Sequence, residues 1–180
     1  YGKYPEFIDT DPRVNRSDTK SYSITKEFTE DRYTAFFGHL NLENKTILDI
    51  GSCVSSLGAW VLDKGATFYQ GVEFGESLVQ SANDNLSKYW QQDKWHIFNG
   101  YAEDYFKQND RNFDYIVASG IIYAYNNPSD LIDECIKRSK NIVLESRNPV
   151  KRWVEEHAQV PLTLKHTRLL EMQPMIVAYN

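Results

Sequence analysis

The sequence predicts an α/β domain with a mostly parallel sheet and helices on both faces, in three layers. Three observations carry that prediction. Five short apolar, β-prone runs recur between residues 46 and 146, segments of helical periodicity alternate with them, and the first run ends in a turn of small residues. Continuous apolar runs mark strands covered on both faces, and the intervening helices supply the crossovers that parallel neighbours need.

Residues 1–26 contain Pro5 and Pro12 and show no sustained period, so they are expected as an N-terminal arm. Arg13, Arg16, Lys20 and Lys26 fit a solvated surface on it. Residues 27–180 form one expected domain. It begins with an amphipathic helix over 27–40, in which Tyr33, Phe36, Phe37 and Leu40 share a face. The first strand is Thr46–Ile50. Gly51-Ser52-Cys53-Val54-Ser55-Ser56 follows, and then an amphipathic helix with Leu57, Trp60 and Val61 on its apolar face. The amides at the start of that helix point into the turn, which favours a polar ligand there. The second strand, Thr67–Val72, delivers Glu73 to the carboxyl end of the sheet. An acid at that separation from a small-residue turn can accept hydrogen bonds from ribose hydroxyls.

Leu78, Val79, Ala82, Leu86 and Tyr89 mark the next helix, and 96–100 the third strand. Residues 102–107 start a short helix, and Phe113–Ser119 is the fourth strand. Asn127-Pro128 predicts a capped helix start with proline at its first position, and Leu131, Ile132, Cys135 and Ile136 form that helix's inner face. Residues 141–146 are the fifth strand, and Asn148-Pro149 predicts a further helix through His157. Two β-prone runs, 163–172 and 175–179, flank Gln173-Pro174 and predict an antiparallel hairpin, bringing the sheet to seven strands.

ILDIGSCVSS followed by GVEFGES resembles the first and second motifs of class I S-adenosylmethionine-dependent methyltransferases. The resemblance implies a Rossmann-like methyltransferase fold with the 27–40 helix as a cap over the cofactor. It also implies that Gly51, Ser52, Cys53 and Ser55 face the methionine portion, that Asp49 acts on its ammonium, and that Glu73, followed by Phe74, takes the ribose. The family alternates three glycines through the turn. Here Cys53 and Ser55 replace the second and third, and neither reaches positive φ as freely as glycine. Tyr101, Ala102 and Glu103, in GYAED, resemble the adenine-contacting segment, with Tyr101 where the family commonly has an acid.

Ser119 to Pro128, SGIIYAYNNP, resembles a loop of the branch that modifies the wobble uridine of tRNA. Gly120, Tyr123 and Pro128 are in register, Glu145-Ser146 resembles the close of its fifth strand, and Ala124 replaces a histidine. Ser119 and Gly120 are expected at the cofactor, and Tyr123 and Glu145 are the candidate catalytic side chains. Tyr101, Tyr105, Tyr123 and Tyr125 are expected around one pocket mouth.

The expected activity is methyl transfer from S-adenosyl-L-methionine to a small molecule rather than a nucleic acid, since the net charge of −5 offers no broad phosphate-binding surface. A catalytically silent cofactor- or partner-binding domain is the alternative. A nicotinamide-dependent dehydrogenase would need more glycines to admit a pyrophosphate. Cys53 and Cys135 are the two cysteines, and His39, His96, His157 and His166 share no ligand spacing, so neither disulfide nor metal is expected. No apolar run is long enough to span a membrane and the first residues lack a signal peptide's pattern, so a cytoplasmic location is expected.

Overall fold

A computed structural model describes residues 32–34, 36–38, 40–145, 163–167 and 175–179. The arm over 1–26, most of the first half of the cap helix and the helix expected from Asn148-Pro149 lie outside the described residues. Residues 32–34 and 36–37 are helical. The strands are β1 (Thr46–Ile50), β2 (Phe68–Glu73), β3 (Trp95–Asn99), β4 (Tyr115–Ser119), β5 (Asn141–Glu145), β6 (Thr163–Thr167) and β7 (Met175–Tyr179). Between them run helices α1 (Ser56–Asp63), α2 (Glu76–Leu86), α3 (Ala102–Gln108) and α4 (Pro128–Arg138).

The sheet order is β3-β2-β1-β4-β5-β7-β6. β1 to β5 pair parallel, while β7 runs antiparallel to β5 and β6 antiparallel to β7. From β1 the chain winds outward through β2 and β3 on one side, then returns to start β4 and β5 on the other. The order therefore reverses between β1 and β4, and in such sheets the crevice at the carboxyl ends at this point is where ligands bind.

Successive strand residues feed opposite layers, as a side-chain period of two requires. Ile47 and Val143 join a core with Phe36, Phe37, Trp60 and Trp95, whereas Leu48, Ile142 and Leu144 join one with Phe106, Leu131 and Cys135. Helix α1 departs from its amphipathic expectation, because every residue from Ser56 to Leu62 is buried. The cap helix covers its outer face, with Tyr33 and Phe37 rings 6.0 and 6.2 Å from Trp60. Helix α4 starts at Pro128 as expected, but Asn127 makes no side-chain capping bond. Proline has no N–H to satisfy, so a start of this kind leaves the cap less to do.

Candidate cofactor and acceptor site

The turn after β1 has left-handed backbone at alternate positions with only the first of them a glycine. Gly51, Cys53 and Ser55 have φ of 74°, 51° and 60°. For an L-residue with a Cβ this left-handed conformation costs about 1–2 kcal/mol, so Cys53 and Ser55 are held there by their surroundings. Three consecutive amides bond to the end of β2. Gly51 and Ser52 N–H donate to the Val72 carbonyl at 2.9 and 3.1 Å, and Cys53 N–H donates to Glu73 Oε2 at 2.9 Å. Gly51 also lets β4's loop come close, since a Cβ there would stand 3.0 Å from the Ile121 side chain. Ser52 turns its buried, unpartnered hydroxyl toward β2, where Gly71 leaves it room.

Glu73 is only 6% exposed. Its Oε1 accepts the Gly75 amide at 2.8 Å while Oε2 holds Cys53. A carboxylate has about four lone-pair sites, so each oxygen keeps capacity for one further donor. The following peptide is fixed in turn by β3, as Gly100 N–H and the Asn99 side-chain amide donate to the Glu73 carbonyl at 2.9 and 3.1 Å.

Asp49 is buried, and its Oδ2 accepts the Tyr69 hydroxyl at 2.8 Å. Burial, and then the Asp49 charge, push the Tyr69 phenol well above its ordinary value, so it stays protonated and donates. The Tyr69 ring lies under α1 because Gly58 lacks a Cβ, which would stand 2.4 Å from it. One Asp49 oxygen thus anchors the Tyr69 hydroxyl at the end of β1.

Across the switch point, Arg32 of the cap helix reaches over the ends of β4 and β5. It donates to Ser119 Oγ and Glu145 Oε2, and Ser119 Oγ also donates to Glu145. Glu145 is 3% exposed, the Arg32 side chain 17%, and Arg32 Nε is buried without a hydrogen-bond partner. Gly120, at φ 68°, places its N–H on the Glu145 carbonyl at 2.9 Å and leaves space beside the guanidinium. Glu145 therefore has one oxygen, Oε2, engaged by both Arg32 and Ser119.

A cavity of about 730 Å³ opens beside these elements, lined among others by Phe74, Tyr101, Glu103, Ile121, Tyr125 and Asp130. Phe74 and Tyr101, 60% and 59% exposed, stack with centroids 5.4 Å apart and planes 7° from parallel. Tyr125 is pushed up to about 12, mainly by burial and then by the Glu103 charge. It remains a neutral phenol. Tyr105 corrects the expected aromatic mouth: it is buried against Phe98 and Phe106 as core. Tyr123 lies in the short 3₁₀ turn Ile122–Ala124 between β4 and α4.

Sequence reasoning missed Arg32. Its signal was a lone cation on the aromatic face of the cap helix, one residue before Tyr33 and four before Phe36, over whose ring it lies at 5.8 Å. Among the described residues no cluster of His, Cys, Asp or Glu could hold a metal, and no helix is long and apolar enough to cross a membrane.

The reversal between β1 and β4, with a tight turn on one strand and an acid ending the next, defines the class: an α/β chain with the fold of class I S-adenosylmethionine-dependent methyltransferases. No protein-family model matches the sequence, and no curated protein matches it. Solved structures do match. Precorrin-6y C5,15-methyltransferase from Geobacter metallireducens superposes with a TM-score of 0.68 at 15% identity, over 95% of this chain and all of that one (100%). Magnesium protoporphyrin IX methyltransferase from Synechocystis, with bound S-adenosylmethionine, gives 0.64 at 12% identity, over 86% and 79%. A "putative RNA methyltransferase" from Pyrococcus horikoshii gives 0.59 at 14%, over 84% and 80%. Of some longer methyltransferases that also match, this chain spans about half the length (47% and 46%). At these identities the likeness is one of fold.

Proposed function

We propose that the chain is an S-adenosylmethionine-dependent methyltransferase acting on a small molecule. The observation that carries this is Glu73, a buried carboxylate at the switch point that closes the turn and keeps two lone pairs for ribose hydroxyls. Its neighbours fit the rest of the nucleoside. The exposed faces of Phe74 and Tyr101 and the side chain of Ile121 border a cavity within the usual size range for ligand pockets. The same carboxylate disfavours a dinucleotide, because Cys53 N–H, which a pyrophosphate would need, already holds an anion.

The bound donor would supply a methyl group already activated on a sulfonium, so the chain's task is positioning and a suitable electrostatic setting. Gly51, Ser52, Cys53 and Ser55 shape the turn on one side, with Asp49 below it. Ser119 and Gly120 wall the other side, and Tyr101, Ala102 and Glu103 border the base. Tyr123 and Glu145 are the candidates for the acceptor end, and Arg32 and Ser119 hold the Glu145 carboxylate. At the cavity Glu103, Asp130 and Glu134 outnumber Lys107, which favours a small acceptor over a polyanion such as RNA. The branch acting on the tRNA wobble uridine lends only its loop.

Calorimetry with S-adenosylmethionine, S-adenosylhomocysteine, reduced nicotinamide and ADP tests the cofactor, and a small-molecule acceptor screen read by S-adenosylhomocysteine release tests the reaction. Binding of the first two ligands alone, with turnover, is expected. No binding at millimolar concentration contradicts the proposal. A silent binding domain is the second reading, favoured by Glu145 Oε2 being held by both Arg32 and Ser119, and it predicts binding without release.

A further inference from the structure

We propose that Glu73 is also a positioning residue for the turn: its carboxylate is the internal clamp that lets Cys53 stand where a glycine would. In its affinity arm the inference rests on the cofactor assignment above. Three observations converge. Cys53 and Ser55 both hold left-handed φ, which residues with a Cβ leave unless something outside the turn restrains them. The Cys53 amide is tied to Glu73 Oε2, whereas the two amides before it bond to a backbone carbonyl that any residue at 72 would provide. Glu73 itself cannot swing away, because Oε1 is fixed by the Gly75 amide, where a Cβ would stand 3.2 Å from it.

A hydrogen bond from an amide to a carboxylate is roughly twice as strong as a neutral one, so this side chain is suited to hold a strained peptide. Two duties then meet in one carboxylate. Its free lone pairs serve the ribose, and its engaged ones hold the turn that shapes the methionine end. A glycine at 53 would make the second duty unnecessary, so residues 53 and 73 are energetically coupled.

The test combines Glu73→Gln with Cys53→Gly, Cys53→Asn and Cys53→Ala, alone and in pairs, reading S-adenosylhomocysteine affinity by calorimetry and Tm by circular dichroism. The side chain introduced by E73Q has a single acceptor oxygen, so it can hold only one of the two amides. E73Q should weaken binding at least about tenfold and lower Tm, since it loses a hydrogen bond to a charged group. In that background C53G should recover at least about fivefold of the affinity and most of the lost Tm, a coupling typical of contacting residues. C53N should recover part, following its tolerance of the left-handed region, and C53A none. A role limited to the ribose contact predicts no recovery by C53G, and that result overturns the clamp. Recovery by C53A equal to C53G also overturns it, since the thiol rather than the backbone would then matter. If the wild type binds no S-adenosylhomocysteine, the cofactor assignment fails while the Tm coupling still decides the clamp: coupled Tm losses support it and additive ones contradict it.

Discussion

The two sides of the switch point are built differently. On the β1–β2 side the turn is held by backbone amides, two on the Val72 carbonyl and two on the Glu73 carboxylate, within residues 51–75. On the β4–β5 side the contacts are between side chains, Arg32, Ser119 and Glu145, drawn from three distant parts of the chain. The first side makes a rigid frame for a ligand whose shape does not vary. The second closes with a buried ion pair, whose stability depends on both partners staying in place.

Breaking the ion pair should have the largest effect. Arg32→Ala leaves Glu145 buried and unpaired, which should cost about 3–5 kcal/mol in urea unfolding, whereas Arg32→Met with Glu145→Leu should recover most of it. Equal loss in the double variant would mean that the pair is more than a satisfied burial. On the other side, Gly58→Ala drives a methyl into the Tyr69 ring, where the Cβ would be 2.4 Å away. It should cost about 1–3 kcal/mol, as overpacked cores do, and should weaken cofactor binding through Asp49 and the turn.

Asp114 joins the sides at their far end, accepting the Thr46 amide and hydroxyl, both at 2.9 Å. Burial alone would raise its carboxyl, but the Thr46 bonds and Lys45 outweigh that and hold it below the ordinary value. A depressed folded-state value contributes stability that is present above the unfolded pKa and lost as pH falls through the folded one. The Tm gap between wild type and Asp114→Asn should therefore be constant at neutral pH and shrink below about pH 4. A gap unchanged into strong acid would show that the charge contributes nothing. Smallest, Tyr101→Ala should weaken S-adenosylhomocysteine several-fold, about 1 kcal/mol of aromatic contact, with Tm nearly unchanged because the ring is exposed.

The legible part of the molecule is the part whose physics is local. The runs 46–50 and 141–146 announced parallel strands, and their neighbours reach both cores because the side-chain period is two. Glu73 stood out because an acid following a small-residue turn by one βα unit has few other uses. The φ values of Cys53 and Ser55 were not legible, because propensity argues against them and contacts such as the Cys53 amide on Glu73, twenty positions away, lie outside any local pattern. Burial all round α1 depended on a cap helix from elsewhere in the chain. Tyr105 and Tyr101 look alike in sequence, yet α3 turns one into the core and leaves the other at the rim. The Arg32–Glu145 pair spans 113 positions, beyond any local pattern.

A crystal structure of the chain soaked with S-adenosylhomocysteine tests whether Glu73 takes the ribose. Ribose hydroxyls are expected within about 3.2 Å of both Glu73 oxygens, with the Cys53 and Gly75 amides still in place and the adenine bordered by Phe74 and Ile121. A ribose bound away from Glu73, or no ligand at the β1–β4 crevice at millimolar soak, would contradict that assignment.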